Sequence, residues 1–504
     1  LAVLAVPSHV QAGDAGEFAT VMLAGGIPHP SGYPWMRVLG LPARALAALG
    51  VPPATAAALP CALAGVAAWI VLWPLLARWS GRGPATVAVA VLATASPVLV
   101  HGSDSEVFGP HLLACALLLR LCARPSPRPW QLGLGLGLAV SHHLTAALLL
   151  PVVIGAAWPR PLSLRRLSLV AVQGVGAGVV GLLPYATLAI GSGGAWRWGD
   201  TRSAAGLLHH VLRGDYGVLS LSLHAEDPAV LDQWARALAV VGSAGSGGLT
   251  QGGLAGALVL ATIAAVALLA RRPATAAPGL YWGVWGAVLA STLVFPAAHN
   301  IDPGGPFGAW ILERFDLLTI LLWAPAWSLA AAALWARMPG RAARAALGLG
   351  ALALVVTQLA RSHARGLPSS DAGVQRYAED LLRTPAPDGT AIVIGTDDHR
   401  VFPILFVQHV LGHGPRTLYI DASLLSHPWY REHLRARFPA LPEVDKPVAL
   451  MQTLWADPAL RDTPIYLANV FSRPAAALPV VPVGVLWRVL PPHLPPPSPA
   501  QVVA

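Results

Sequence analysis

Long apolar segments recur along the first 360 residues of this 504-residue chain and constrain its fold more than any other feature. They fall at about 58–77, 84–101, 107–123, 130–157, 167–190, 250–270, 278–296, 316–336 and 343–360. A helix needs about 20 apolar residues to cross a bilayer. Only 11% of the residues are charged, whereas soluble domains average about 25%. These features predict a polytopic helical membrane protein and exclude a large soluble enzyme.

Charged residues divide the connections between these segments into two classes. Five short connections hold 13 arginines and neither Asp nor Glu. The rest of the chain holds all 24 acidic residues, 19 arginines and the sole lysine, Lys446. Because cytoplasmic loops are enriched in Arg and Lys, the first class is predicted to be cytoplasmic and the second to face outward. The formal net charge of +9 therefore reflects membrane topology, and we exclude nucleic acid as a partner.

The segment 130–157 decides how many times the chain crosses the membrane. Both of its flanks are Arg-rich, which favours two short helices meeting at Ser141-His142-His143 near the outer face; a single tilted span is the alternative. The first pattern predicts about 11 transmembrane helices, the first of them truncated because the chain opens on Leu1 within an apolar run. The three cysteines lie in apolar stretches, so neither a disulfide framework nor a metal site is predicted.

The predicted organisation has three parts. A transmembrane domain covers residues 1–360, with outer loops at 10–57, 101–106, 191–249 and 297–315. An extracytoplasmic α/β domain covers 361–490, and a Pro-rich tail covers 491–504. Within the second part, a strand at Ala391–Thr396, a helix at Phe402–Leu411 and a strand at Arg416–Ile420 form a β-α-β pattern. The intervening Thr396-Asp397-Asp398-His399 is interpreted as a loop or helix cap.

The densest polar cluster of the membrane half is Gly13-Asp14-Ala15-Gly16-Glu17-Phe18, directly after the first helix. On a helix, Asp14 and Glu17 share one face. A positioned carboxylate can act as the general base that removes a proton from an attacking hydroxyl. The same spacing is also that of a helix-start capping box, and the residue types alone leave both interpretations open.

Other polar groups fall on the same predicted face of the membrane. Arginine is suited to binding phosphate, whereas the accompanying aromatic residues are equally typical of membrane-interface anchors. Polar side chains at membrane depth, such as His143, are costly and are often functional. The candidate residues are His29 and Tyr33 in a Pro-rich turn, Asp104 and Glu106 in a short loop, His143, the pairs Arg197/Asp200 and Arg213/Asp215, and Arg314 at the start of a helix.

The order of the motifs resembles one known family. GDAGEF, PHPSGYP, SEVF, SHHLT, LLPY, RWGD, LRGDYG, ERF and LLSHPWY follow each other between about residues 10 and 430. This series is similar to a family of multi-spanning glycosyltransferases of the GT-C type, whose vertebrate member is a protein O-mannosyltransferase of the secretory pathway. Each motif is weak alone, but their shared order makes the resemblance fairly specific.

The resemblance implies a GT-C-like fold and a polyprenyl-phosphate hexose, with mannose as the expected sugar, as the lipid-linked donor. It implies an inverting transfer to Ser/Thr hydroxyls of exported proteins on the non-cytoplasmic face, with no cofactor required. Asp14, with Glu17 as second choice, would be the catalytic base. Arg314, followed by Arg197 and Arg213, would stabilise the phosphate leaving group. The other candidates would bind the sugar or the acceptor: His29, Tyr33, Asp104, Glu106, His143, Asp200 and Asp215.

Two alternatives remain at this point. The acceptor could be a lipid or polysaccharide instead of a protein. A transporter or flippase would be a different class, but transporters place ionisable groups near the bilayer midplane, and here the acidic groups lie at one face. The Arg-rich, Lys-poor composition is typical of a high-GC bacterium, so the expected location is the inner membrane with the C-terminal domain in the periplasm.

Overall fold

The computed structural model describes residues 5–159, 161–190, 194–217, 220–221, 228–246, 252–269, 272–364, 371–385, 390–469 and 478–492. Within these residues, five helices are long and apolar enough to cross a membrane: Pro53–Ser80, Leu164–Ile190, Pro278–Ala298, Gly308–Arg337 and Gly340–Ala364. A sixth span results if Arg82–Ala93 and Ser96–Gly102, which meet at 62°, are counted together. The helical membrane protein is confirmed, whereas a total of about 11 spans stays a prediction.

The helices of the membrane half occupy α1 (Ala15–Ala24), α2 (Pro34–Ala48), α3 (Pro53–Ser80), α4 (Arg82–Ala93), α5 (Ser96–Gly102), α6 (Phe108–Cys122), α7 (Pro129–His142), α8 (Leu150–Ala157), α9 (Leu164–Gly181), α10 (Thr187–Ile190), α11 (Ala204–Val211), α12 (Val230–Gly245), α13 (Gly253–Leu269), α14 (Pro278–Leu289), α15 (Phe295–Ala298), α16 (Pro306–Arg337) and α17 (Gly340–Ala364). Several begin at proline, whose missing N–H costs nothing in the first helical turn.

Small residues let these helices approach each other closely. Gly133 and Gly137, one turn apart on α7, face Gly174 and Gly178 on α9. A Cβ atom at Gly133 would lie 1.9 Å from the carbonyl oxygen of Gly174, and one at Gly137 would lie 2.1 Å from that of Gly178. Association of membrane helices depends on such close packing because lipid supplies no hydrophobic driving force between them. The glycine run after Gly133 therefore serves helix packing, as the sequence indicates.

The stretch 130–157 is interrupted in the structure. Helix α7 ends at His142, His143 has an extended backbone (φ −148°, ψ 127°), and a 3₁₀ segment at Leu144–Leu149 leads into α8. The imidazole of His143 caps this segment by accepting a hydrogen bond from the backbone N–H of Thr145. This break lies where the sequence predicts two short helices to meet.

The C-terminal part combines α18 (Gly373–Arg383), β3 (Ala391–Gly395), α19 (Asp398–His409), β4 (Thr417–Asp421), α20 (Pro428–Arg437), α21 (Pro447–Ala456), β5 (Ile465–Leu467), β6 (Val480–Val483) and β7 (Leu486–Val489). The sheet order is β4-β3-β5-β7-β6, and β3 is parallel to both β4 and β5. The predicted β-α-β unit and C-terminal α/β region are confirmed. Most of the Pro-rich tail, residues 493–504, lies outside the described residues.

A short parallel ladder, which is not predicted from the sequence, joins two loops. Strand β1 (Gly26–Ile27) pairs with β2 (Trp196–Arg197). Gly26 has φ +138°, and a Cβ atom there would lie 1.9 Å from the carbonyl oxygen of Trp196. Glycine is therefore required at this contact, which brings Trp196 against the end of α1.

The C-terminal domain packs directly on the membrane half at α1. Helix α19 lies against α1, where a Cβ atom at Gly16 would come within 2.5 Å of the backbone carbon of Phe402. The backbone N–H of Val10 also donates to the side-chain oxygen of Gln375 on α18, at 3.1 Å. The domain therefore forms one wall of whatever site surrounds α1.

Candidate active site

The candidate site is built around the beginning of α1. Gly13, at φ +76°, turns the chain so that Asp14 precedes the helix. Asp14 makes no side-chain capping bond to α1, which removes the capping-box interpretation. Residues Ala15 to Met22 are all buried, among them the Glu17 carboxyl, whose residue is 0% exposed. Such a carboxyl is stable only if it is paired or hydrogen-bonded.

Arg314 joins the first carboxylate to a second one from another loop. Its Nη1 donates to Oδ2 of Asp14 at 2.9 Å and to Oε1 of Glu106 at 3.1 Å. The guanidinium carbon lies 4.7 Å from the centroid of the Trp310 ring and 5.8 Å from that of Phe108. Helix α16 thus delivers a buried cation beside Asp14, held by two acids and two aromatic faces.

Glu17 has a different set of partners. Its Oε2 lies 2.5 Å from Nδ1 of His29, and its Oε1 accepts from the backbone N–H of His29 at 3.0 Å. Oε1 also accepts from Nε1 of Trp196 at 2.8 Å, across the β1–β2 contact. Three donors therefore fix Glu17, and Glu17 fixes the His29 ring.

The surroundings shift the pKa values of these groups. Burial alone would raise the pKa of Asp14, but the Arg314 guanidinium and His29 outweigh it, so the pKa lies below its ordinary value. Burial raises the pKa of Glu17, and His29 and Trp196 offset this only in part. For His29, burial lowers the pKa, yet the charges of Glu17 and Asp14 prevail and raise it. The Arg314 guanidinium therefore favours the ionised form of Asp14.

Tyr33 and His143 continue the site toward the membrane. The Tyr33 ring lies 5.2 Å from that of His29 and 5.8 Å from that of His143. Nδ1 of His143 lies 2.7 Å from Oγ1 of Thr145, which is itself 3.0 Å from Nε2 of His111. A line of aromatic and imidazole rings thus runs inward from Glu17.

Asp104 organises the loop that carries Glu106. Its Oδ1 accepts from the backbone N–H of Ser105 at 2.7 Å, and the Ser105 hydroxyl donates to the carbonyl oxygen of Ala15 at 2.9 Å. His142, the other histidine of the pair, lies with Nε2 2.9 Å from the carbonyl oxygen of Val107. These bonds tie the loop to α1 on one side and to α7 on the other.

Arg213 and Asp215 shape the outer wall. Nη1 of Arg213 donates to the carbonyl oxygen of Pro30 at 2.8 Å, and its guanidinium lies 4.6 Å from the centroid of the Tyr216 ring. Asp215 accepts from Nε1 of Trp198 at 2.9 Å. Both residues therefore hold the turn that carries His29.

Arg197 and Asp200 are placed apart from the Asp14–Arg314 pair. Nη2 of Arg197 lies 3.7 Å from Oδ1 of Asp200, whose side chain is 64% exposed. A further charged neighbour of Arg197 is Glu432 on α20. The structure thus brings Asp14, Glu17, His29, Glu106 and Arg314 together, while Arg197 and Asp200 face the C-terminal domain.

Four residues that the sequence did not single out as site residues also lie here. Trp196 and Trp310 contact the acidic and cationic groups directly, and His399 packs with its ring 5.7 Å from that of Trp310. Asp398 has Asp14, Glu17 and His29 among its charged neighbours. For Asp398 and His399, the signal in the sequence was a polar run directly after a buried strand, because ligands often bind beyond the carboxyl ends of parallel strands.

An apolar cavity of about 460 Å³ opens beside the loop that carries Glu106. It lies between α3, α4, α5 and α6 and is lined by Val66, Trp69, Ile70, Trp73, Leu99 and Gly102, among others. Gly102 is the last residue of α5 and precedes Glu106 by one short turn of chain. The cavity therefore lies a few residues along the chain from the polar cluster.

Metal ligation was tested on the same residues. In the part of the chain that the structure describes, His, Cys, Asp and Glu side chains form no group of three able to hold a metal ion. The Arg314 guanidinium supplies a cation at the site. That no metal is required stays a prediction.

Comparison with known proteins finds similarity both in sequence and in fold. No protein-family model matches the chain. The mouse protein O-mannosyl-transferase TMEM260 is 29% identical over 233 residues, which are 44% of this chain and 33% of TMEM260. The chain thus matches about a third of the length of that curated relative.

The structure is similar to that of ArnT from Cupriavidus metallidurans bound to undecaprenyl phosphate, with a TM-score of 0.54. The match covers 97% of this chain and 95% of ArnT at 13% identity, which establishes a shared fold. The chain is therefore similar in sequence to a protein O-mannosyl-transferase and shares the fold of ArnT.

Proposed function

We propose that this protein is an integral-membrane inverting glycosyltransferase. It moves a hexose, with mannose as the first expectation, from a polyprenyl phosphate to Ser/Thr hydroxyls of exported proteins. The reaction takes place on the non-cytoplasmic face, in the inner membrane of a bacterium. The O-mannosyl-transferase name of the mouse relative and the undecaprenyl phosphate bound to ArnT support this proposal.

The buried Arg314 is the observation that carries it. Nε of Arg314 and Oε2 of Glu106, which lie beside Asp14, are two of the 20 buried side-chain polar atoms that have no hydrogen-bond partner among the described residues. Unsatisfied buried polar atoms are rare and call for an explanation. A bound phosphate group would give both atoms a hydrogen-bond partner, because Arg314 donates to it and a protonated Glu106 can donate as well. Burial raises the pKa of Glu106 to about 8, against the opposing charge of Arg314, so Glu106 is largely protonated at neutral pH.

The apolar cavity beside the loop with Glu106 is the proposed binding site of the lipid chain. Its walls are Trp, Val, Ile and Leu side chains, and it ends at Gly102, next to the loop with Glu106. Burying apolar surface contributes about 25 cal/mol per Å², so the polyprenyl chain binds there while its phosphate meets Arg314.

Asp14 is the proposed base, and Glu17 is a positioning residue. The Asp14 side chain is 20% exposed, whereas that of Glu17 is 0% exposed and holds three hydrogen bonds. An attacking hydroxyl can therefore reach Asp14 but not Glu17. When a phosphate draws Arg314 toward itself, Asp14 loses part of its counter-charge and becomes a stronger base.

The transfer is a single displacement. The acceptor oxygen attacks the anomeric carbon while its proton passes to the Asp14 carboxylate. The bond from the anomeric carbon to the phosphate oxygen breaks, and its electron pair stays on the lipid phosphate beside Arg314. His29, Tyr33, Asp104 and His143 remain the proposed sugar- or acceptor-binding residues.

The test uses the full chain in liposomes with radiolabelled polyprenyl-phosphate mannose and extracted periplasmic protein. Asp14→Asn is expected to lower turnover by about 10²–10⁴-fold, the range of general base catalysis. Asp232→Asn, an exposed carboxylate on α12, is the matched control and should turn over like the wild type.

The destination of the label separates the alternatives. Label in protein supports the proposal, and label in lipid keeps the mechanism but replaces the acceptor. Absence of transfer from any polyprenyl-phosphate sugar, together with specific transport of a solute, would refute the proposal that the protein is a glycosyltransferase. Wild-type turnover by Asp14→Asn would refute Asp14 as the base.

A further inference from the structure

A second apolar cavity, of about 760 Å³, lies between α4, α12, α13, α16 and α17, and we call it the α17 cavity. Its walls include Trp327 and Leu334 of α16 and Leu347 and Gly350 of α17. Its lining residues differ from those of the cavity beside the loop with Glu106. It is therefore a separate space, which the proposed reaction does not use.

The α17 cavity opens far from the candidate active site. Arg337, which lines it, follows Arg314 on α16 by 23 residues. At 1.5 Å per residue the two arginines are about 35 Å apart along the helix, whereas the hydrocarbon core of a bilayer is about 30 Å thick. The Arg337 end of the cavity therefore lies at the opposite membrane face from Arg314. The arginine distribution predicts that this face is cytoplasmic.

This end of the α17 cavity is strongly basic. Four exposed arginines lie there: Arg82 at the start of α4, Arg337 at the end of α16, and Arg341 and Arg344 near the start of α17. The sequence holds neither Asp nor Glu in 18–103 or 317–370, so α4, α17 and the second half of α16 offer these arginines no carboxylate. Basic pockets between membrane helices on the cytoplasmic side bind anionic lipid head groups.

The face of α17 that lines the cavity leads to these arginines. Leu347 and Gly350 both line the cavity and, three residues apart, share one face of the helix. Arg344 lies one turn before Leu347 on that face, and its guanidinium carbon is 5.8 Å from the centroid of the Trp335 ring on α16. An added Cβ atom at Gly350 meets nothing within 4 Å, so this face is open. An extended chain lying along it would end among the arginines.

Helix α17 has little other packing. Only 11% of its membrane-spanning window is buried, whereas 72% of that of α16 is buried. The same helix leads from the membrane half to the C-terminal domain, which begins with α18. An apolar cavity offers water no hydrogen-bond partners, so the matching occupant is an apolar chain. Such a chain would join α17 to α13 and α16.

We propose that the α17 cavity binds an anionic glycerophospholipid, with an acyl chain between α13, α16 and α17 and the phosphate at Arg337 and Arg344. The acyl chain matches the apolar walls, and arginines bind phosphate through charge-assisted hydrogen bonds. The bound lipid fastens α17, which carries the C-terminal domain, to the membrane half. The inference goes beyond the proposed function and does not rest on it, because the polyprenyl-phosphate donor is proposed at Arg314, on the opposite face.

The test measures lipid binding to the purified full chain in detergent by native mass spectrometry, with phosphatidylglycerol as the probe and zwitterionic phosphatidylethanolamine as the comparison. Gly350→Leu takes the room of about four methylene groups of the acyl chain, so phosphatidylglycerol should bind about 10²-fold more weakly. Gly348→Leu is the matched control, because an added Cβ atom there also meets nothing within 4 Å but Gly348 does not line the cavity. This control should bind the lipid like the wild type.

Arg337→Gln tests the phosphate contact. Loss of this arginine should weaken the binding of phosphatidylglycerol about 5-fold and leave that of phosphatidylethanolamine unchanged. Arg124→Gln, which removes an exposed arginine between α6 and α7, is the control of equal charge. Phosphatidylglycerol should also raise the unfolding temperature of the wild type and of Gly348→Leu but not that of Gly350→Leu, because a ligand stabilises the fold that binds it.

Equal affinities of Gly350→Leu and Gly348→Leu for phosphatidylglycerol would overturn the cavity as the binding site. Equal affinities of the wild type for the two phospholipids would overturn the anionic head group. Tighter binding of polyprenyl phosphate than of phosphatidylglycerol, lost in Gly350→Leu, would overturn the glycerophospholipid and make the cavity a second donor site. If Gly350→Leu unfolded earlier than Gly348→Leu without lipid, Arg337→Gln would decide, since an unchanged preference for phosphatidylglycerol would overturn the proposal. None of these readouts is sugar transfer, so the proposed function is tested separately.

Discussion

Substituting Gly16 by Ala tests whether the docking of α19 on α1 governs activity. The new Cβ atom would lie 2.5 Å from the carbonyl carbon of Phe402, 2.6 Å from its oxygen and 2.7 Å from the nitrogen of Pro403. All three are backbone atoms, so no side chain can rotate out of the way. Gly16 has an ordinary helical backbone, and in isolation Ala would stabilise α1 by about 1 kcal/mol.

The clash outweighs this gain. Ordinary contact begins at 3.4 Å, so α19 must withdraw by about 1 Å. Overpacking of this kind costs about 1–3 kcal/mol, and a gap of that size forfeits about a quarter to a half of the dispersion attraction across it. Because Phe402 and His399, which contact His29 and Trp310, move with α19, we expect turnover to fall by about 10²-fold, the effect of a 1 Å misplacement in an active site.

The control is Gly176→Ala on α9, where an added Cβ atom meets nothing within 4 Å. Both variants are assayed for sugar transfer, polyprenyl-phosphate binding and thermal unfolding. Gly176→Ala should match or exceed wild-type stability, while Gly16→Ala should unfold earlier and keep its donor binding. If Gly16→Ala transferred sugar at the wild-type rate with an unchanged unfolding temperature, the docking argument would be refuted.

Three further outcomes follow from the described contacts. Arg314→Gln leaves Asp14 and Glu106 without their cation, and breaking such a buried pair costs about 3–5 kcal/mol. The variant should therefore unfold at a lower temperature and lose polyprenyl-phosphate binding. Retained binding would contradict the proposed phosphate site at Arg314. Burial raises the pKa of Asp14, but Arg314 lowers it by a larger amount, so that the pKa lies below its ordinary value. The Asp14–Arg314 pair therefore stabilises the fold at neutral pH and ceases to do so as the pH falls through that lowered pKa. The difference in unfolding temperature between the wild type and Asp14→Asn should accordingly shrink in acid. Gly137→Ala places a Cβ atom 2.1 Å from the carbonyl oxygen of Gly178 and should cost about 1–3 kcal/mol in unfolding experiments; stability equal to that of Gly176→Ala would refute close packing of α7 on α9.

Features set by neighbouring residues could be predicted from the sequence. The β-α-β pattern of the C-terminal domain follows from periodicity, and the glycine face of α7 follows from its Gly positions. The break near His143 follows from the Arg-rich flanks of that stretch and the polar residues at its middle. The candidate carboxylates Asp14 and Glu17 were also found, because they are dense polar residues beside an apolar segment.

Their partners could not be predicted in the same way. Asp14 meets Arg314 across 300 positions, and Glu17 meets Trp196 across 179. Spacing places Asp14 and Glu17 on one face but does not say that one faces an arginine and the other a histidine. The interpretation of residues 396–399 as a loop or cap holds for Asp397, whereas Asp398 reaches the site because of the docking of α19, which no local pattern encodes.

The long sequence separations within the site have a consequence for how the protein is made. Ribosomes synthesise the chain from its N-terminus, so Asp14 and Glu17 leave the ribosome long before Trp196 and Arg314 exist. Two acids that end up buried must stay in water until their partners have been made, since unpaired charges are not buried at tolerable cost. The candidate site is therefore incomplete in the nascent protein until the C-terminal domain has folded onto α1.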